Sequence, residues 1–183
     1  RRNAFFLVLL AQGTPCILAG DEFANTQKGN NNAYCQDNPT GWLDWSRLER
    51  EKKLFSFVKA LIALRKAHPV LSQEKELLGM DQISCGVPDV SYHGTCAWQT
   101  PAEVSSRQLG VYYCGRMAGD EDCFVAYNMH WLEHEFALPA LPKGKKWYLA
   151  ADTKEGILDK EKPLDCQREA ILKDRTIAVF LGR

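Results

Sequence analysis

The sequence has no surplus of either charge. Its 183 residues carry 23 Lys+Arg and 23 Asp+Glu, and the basic residues form no stripe. Proteins that live on phosphate backbones show such an excess, so nucleic acid is not an expected partner. No apolar run approaches the roughly 20 residues of a membrane-spanning helix, so no membrane partner is expected either. The cysteines are seven in number, an odd count, and none forms a C-x-x-C pair. A disulfide framework and a zinc site are therefore poorly supported, and no metal or cofactor is expected. Cys16 and Cys123 lie in apolar runs, where a free thiol acts as a small hydrophobe. Reduced thiols in a cytoplasmic protein are the expected state. Repeats and low-complexity segments are absent. Residues 1–10 set arginines before an apolar stretch, but no small-residue cleavage site follows and the first residue is not Met. The expectation is a chain continuous with a longer one rather than one opened by a signal peptide.

What is present is 45% hydrophobic and 25% charged, an ordinary globular composition. Residues 4–12 read as the end of a buried helix stopped at Gly13. Residues 14–20 are continuously apolar between Pro15 and Gly20, the pattern of a strand buried on both faces of a parallel sheet. Residues 21–45 have no period and abound in Asn, Gly, Gln and Asp. Loops of that length in compact proteins are usually functional or disordered, and Phe23, Tyr34, Trp42 and Trp45 argue for order. Residues 52–68 form an amphipathic helix, with Leu54, Val58, Leu61 and Arg65 in one row and Phe57, Leu61 and Leu64 in the next, ended by Pro69.

Beyond residue 78 the texture changes to short β-rich runs at 87–92, 109–114, 123–128, 135–138, 147–150 and 176–181, separated by turn residues. That is the signature of a small antiparallel sandwich. The expected domains are 1–75, an incomplete α/β unit, and 76–183, all-β. A lone parallel strand needs neighbours, so the first unit makes sense as the last part of a larger α/β domain.

The run QGTPCILAGDEF at 12–23 resembles the eighth barrel strand of the α-amylase superfamily of glycoside hydrolases. QKGNNNAYCQDN at 27–38 and WLDW at 42–45 narrow the resemblance to the isoamylase-type glycogen debranching enzymes. LRK at 64–66 is similar to that family's last barrel helix, and VSYHG at 90–94 and the stretch 124–139 to its C-terminal β-domain. The resemblance implies the last strand, loop and helix of a (β/α)8 barrel followed by a small antiparallel β-sandwich. It implies an enzyme that hydrolyses α-1,6 branch linkages of a branched α-glucan.

In such barrels the active site is built from the loops after the strands, so residues 21–45 would face substrate. Amides and carboxylates there can bond sugar hydroxyls, and aromatic rings can cover pyranose faces. The candidate contacts are Asn31, Asn32, Tyr34, Gln36 and Asp37, with Asp21 and Glu22 at the base. The bland reading is that the Asn-rich run only satisfies its own backbone.

No catalytic residue is assigned. The family's nucleophilic Asp, acid/base Glu and second Asp belong to earlier strands, so the chain alone is expected to be inactive. Asp21 and Glu22 are a poor substitute, because adjacent strand residues point to opposite sides. The alternative function is a non-catalytic carbohydrate-binding or scaffold module. Exposed aromatics among Trp98, Tyr112, Tyr113, Trp131 and Trp147 would favour binding, and buried ones scaffolding, which is the expectation. His130, Glu133 and His134 match H-x-x-E-H, but zinc peptidases carry both His on one helix. A turn between strands is expected here, without metal. His68 and His93 are expected to be local structural residues.

Overall fold

The computed structural model describes residues 1–101 and 103–183, with 159–161 as backbone only. The helices are α1 (Arg2–Leu9), α2 (Ser46–Arg50) and α3 (Lys52–Ala67). The strands are β1 (Val90–His93), β2 (Gln108–Tyr113), β3 (Asp122–Asn128), β4 (His134–Ala137), β5 (Trp147–Asp152), β6 (Gly156–Pro163), β7 (Glu169–Leu172) and β8 (Thr176–Gly182). Six of them make one sheet in the order β1-β2-β3-β8-β5-β6, and β4 and β7 make a second. Every pairing among the described residues is antiparallel.

The large sheet is covered on both faces, which explains the near-continuous apolar runs of its central strands. Alternate residues go to opposite sides. Val111, Cys123, Val125, Ile177, Val179 and Leu181 join a core with Phe5, Phe6, Leu61 and Leu64 of α1 and α3. Tyr112, Phe124, Ala126, Ala178 and Phe180 face the other way, against Phe136 of β4 and Leu172 of β7. The result is three layers: helices, six-stranded sheet, two-stranded ribbon. Gly110 makes the second layer possible. A Cβ there would collide with the Phe124 ring, so only glycine lets that ring cross β2.

The sequence reading of α3 holds: Leu54, Phe57, Val58, Leu61, Leu64 and Arg65 are all buried. Six expected β runs correspond to β1, β2, β3, β4, β5 and β8. β6 and β7 were not expected. Each sits at the edge of its sheet, and the GILDKEKP of β6 is charged in the way edge strands are, which erases the apolar signal.

Two expectations are corrected. Residues 14–20 belong to no strand, and Ile17 and Leu18 are 40% and 63% exposed. Among the described residues the eight strands pair in the two antiparallel sheets, and none of them supplies this segment with ladder partners. Helix α1 is buried on one face only: Phe5, Phe6 and Leu9 are covered, whereas Leu7 is 50% exposed. Cys16, in the same unpaired segment, is exposed, while Cys123 is fully buried.

Two buried charges organise the junctions. One is Arg65, whose guanidinium donates to backbone carbonyls between residues 9 and 13 and to that of Leu71. The Asp89 carboxylate, 1% exposed, accepts hydrogen bonds from the N–H groups of Leu78, Gly79, Met80 and Val90 and from Nε2 of Gln82. Burial alone would raise its pKa, but these donors outweigh burial and hold it below the usual carboxylate range. Asp89 thereby fixes the chain that leads into β1.

Candidate substrate-facing loop

The loop begins at a glycine turn. Gly20 has φ +97°, and a side chain there would collide with Asn25. A single 3-10 turn, Asp21–Phe23, follows, closed by Ala24 at φ +59°. Phe23 is buried and stacks on Trp45 at 5.3 Å between ring centroids. Oδ1 of Asn25 accepts the N–H of Asp44 at 3.0 Å, tying together two positions 19 residues apart. The loop is thus held shut at its base, as an Ω-like excursion is.

Between these ties, side-chain oxygens accept N–H groups two residues on. The pairs are Thr26 with Lys28, Asn30 with Asn32, Asn32 with Tyr34, Asn38 with Thr40, and Asp44 with Ser46. These are Asx- and ST-turns. The Ser46 hydroxyl bond also holds the Asp44 carboxyl below its ordinary pKa. The turn-forming role of the asparagines is therefore real, and it leaves their NH2 groups and second lone pairs for other partners.

The seven candidate contacts fall into two groups. Asn32, Tyr34 and Gln36 are bonded to one another: the Tyr34 N–H donates to Asn32 Oδ1 and Gln36 Nε2 donates to the Asn32 carbonyl at 2.8 Å. Asp37 accepts the indole N–H of Trp42 at 2.8 Å, and Asn31 is exposed beside them. Tyr34 is 83% exposed, with Trp42 and Trp45 exposed as well. Asp21 and Glu22 stand apart. Asp21 accepts the N–H of Leu18 and Glu22 that of Gly20 at 2.9 Å, so each carboxylate braces its own turn. Asp21 also borders an apolar cleft of about 320 Å³, shared with Phe5, Val8, Ile17 and Leu18. Sequence reasoning missed Trp42 as the partner of Asp37 and Asn25 as the latch. The WLDW motif carried the first signal, and nothing local carried the second.

Two other constellations invite chemistry and do not support it. His93 is fully buried, its burial depressing its pKa, and its Nε2 lies 2.8 Å from Ser91 Oγ. Its Nδ1, however, accepts the Trp98 N–H, so the proton sits on Nε2 and the ring cannot take one from Ser91. His130 and His134 lie on either side of the turn between β3 and β4, rings edge to face at 4.7 Å. Among the described residues no group of three metal-ligating side chains occurs. Both histidines border a cleft of about 630 Å³ with Arg107, Gln108, Gln99 and Trp131. The aromatics of the β region divide: Tyr112, Tyr113 and Trp147 are buried, while Trp98 and Trp131 are 47% and 58% exposed.

No family model matches the chain. It is 30% identical over 180 residues to a glycogen operon protein GlgX homolog of Mycobacterium tuberculosis, a match covering 86% of this chain and 24% of that protein. It is 34% identical to an isoamylase of Pseudomonas amyloderamosa over 157 residues, covering 83% of this chain and 19% of that protein. The chain is a relative of the isoamylase-type glycogen debranching enzymes. A local match is stronger still: 59% over 68 residues to a glycogen debranching enzyme of Erwinia tasmaniensis, covering 37% of this chain and 10% of that protein. Among solved structures, a pullulanase from Bacillus acidopullulyticus superposes over 98% of this chain and 20% of its own, with TM-score 0.74 and 18% identity. That likeness speaks for the fold alone. The chain spans about a quarter or less of the length of these debranching relatives.

Proposed function

We propose that this chain is the C-terminal part of an enzyme that hydrolyses α-1,6 branch linkages in a branched α-glucan. In this reading residues 1–75 complete a (β/α)8 barrel, residues 76–183 form its β-domain, and the catalytic carboxylates come from the remainder of the barrel. The observation that carries it is the 34% identity to an isoamylase across 83% of the chain. Residues 14–20 support it: an unpaired apolar segment with Ile17 and Leu18 exposed, beside an amide-rich loop, leaves surface for the rest of a barrel to cover. Asp21, Glu22, Asn31, Asn32, Tyr34, Gln36 and Asp37 then border the glucan cleft. No cofactor is called for, and the place of action is the cytoplasm, where glucan stores and reduced thiols coexist.

The test is an assay of reducing ends on amylopectin, comparing this chain with the longer protein that contains it. Release by the longer protein and none by the chain is expected, because Asp21 and Glu22 both bond their own backbone and form no pair across a bond. Release by the chain that is lost on changing Asp21 or Glu22 would overturn the reading.

A second reading, a glucan-binding module, draws on one observation: Trp131 is 58% exposed and borders the cleft it shares with His130 and His134. Retardation of the chain in a glycogen-containing native gel would favour it. Migration unchanged by glycogen would leave the β-domain as a scaffold.

A further inference from the structure

We infer that Cys85 and Cys114 form a thiol-modification site that closes to an intramolecular disulfide when the protein meets an oxidised low-molecular-weight disulfide. Their sulfur atoms are 3.7 Å apart. A disulfide bond is about 2.05 Å long, so less than 2 Å of approach, shared between two side chains, separates contact from bond. The two residues are held from opposite sides. Cys85 sits in a turn whose Cys85 and Gly86 N–H groups donate to the Asp81 carboxylate at 2.8 and 2.7 Å. Cys114 directly follows β2, and its N–H donates to the Asp89 carbonyl at 2.9 Å. The Arg116 side chain donates to the Cys85 carbonyl at 2.7 Å, and its guanidinium is close enough to feel the charge of either sulfur.

The two thiols differ in the way a stepwise exchange requires. Cys85 is partly exposed, whereas Cys114 is 1% exposed and burial pushes its pKa up to about 11. Cys85 therefore reacts first. Its thiolate attacks one sulfur of the small disulfide, forming a mixed disulfide and expelling one small thiolate. Cys114 then loses its proton and attacks Sγ of Cys85, expelling the second. Two protein thiols are oxidised, one small disulfide is reduced to two thiols, and the two protons end on those thiols. Arg116 lies where it stabilises both thiolates. The bond ties the segment 78–89 to the end of β2 and closes a long loop, which constrains the unfolded chain. Among the described residues no other two thiols are in contact; Cys16, Cys35, Cys96 and Cys166 are exposed and Cys123 is buried.

The experiment treats the full 183-residue chain with excess oxidised glutathione, blocks remaining thiols, and maps peptides by mass spectrometry. The expected product joins the peptides of Cys85 and Cys114, two hydrogens lighter than their sum, while the four exposed cysteines carry glutathione. In the Cys114→Ser chain, Cys85 is expected to keep its glutathione, because no second thiol displaces it. A stable glutathione adduct on Cys85 in the unaltered chain, or both thiols still free once the four exposed cysteines are modified, overturns the proposal. It does not rest on the glucan reading, and either can fail alone.

Discussion

Arg65 is 8% exposed, and among the described residues it makes no ion pair with a carboxylate. Its Nη1 donates to the carbonyls of Leu9, Ala11 and Leu71, and its Nη2 to those of Gln12 and Gly13. The cation sits where the unsatisfied carbonyls of the end of α1 converge, the negative end of a helix dipole. Desolvation lowers its pKa from the ordinary arginine value, and the ring of carbonyl dipoles supplies the compensation. Lysine cannot imitate this, because one ammonium with three donors does not span the fork. Arg65→Met strands several buried carbonyls and is expected to cost about 3 kcal/mol or more. For a chain of this size that is a fall of roughly 6–12 °C in melting temperature, with Arg65→Lys intermediate. Thermal melts of the two variants check this, and a Met variant melting like the parent would show that the carbonyls do not depend on the cation. The sequence placed Arg65 on the apolar row of α3. That position hinted at burial, but the five acceptors lie 6 to 56 residues away and no local pattern names them.

The element that most needs separating into fold and function is the loop 21–45. Its side chains do two kinds of work, and variants tell them apart. Asn32 caps a turn through Oδ1, and its backbone carbonyl receives Gln36; Asp37 holds the Trp42 indole. If the loop orients glucan, Asn32→Ala and Asp37→Ala in the longer protein each remove a positioning hydrogen bond worth about 1–3 kcal/mol. Debranching efficiency is then expected to fall by roughly ten- to a hundredfold. Exposed turn bonds contribute little to stability, so the melting temperature should stay within a degree or two. Lowered melting with normal kinetics in both variants would assign the loop to holding the structure together. The loop's existence and length were legible because Asn, Gly and Asp break every period. The Asn25–Asp44 latch and the Phe23–Trp45 stack were not, since both depend on the chain returning to its start.

At the scale of the molecule, the exposed face of α1 and residues 14–20 is the least self-sufficient part. Leu7, Ile17 and Leu18 are 40–63% exposed, and Ile17 and Leu18 border the apolar cleft beside Asp21. If the longer protein seats residues 14–20 as a buried barrel strand, Ile17→Asp places a charge in its core there and on the surface here. The substitution is expected to destabilise the longer protein by about 3 kcal/mol or more. In the isolated chain it is expected to change stability by less than about 0.5 kcal/mol. Chemical denaturation of both proteins gives the comparison, and equal small effects would remove the strand from the barrel reading.

The sequence by itself determined the elements whose burial repeats along the chain. α3, β3 and β8 present apolar residues at periods of 3.6 or 2, or without interruption, because each is covered by its neighbours on one face or both. It also determined the kinship, since the 12–45 region is where motif residues are densest. Only the tertiary structure decided the rest. It assigned β6 and β7 to sheet edges, left residues 14–20 without strand partners, and split the β-region aromatics between core and surface. It brought Cys85 to Cys114 and five carbonyls to Arg65. Each of these is set by contacts between residues far apart in sequence, and such contacts leave no periodic trace in the order of the amino acids.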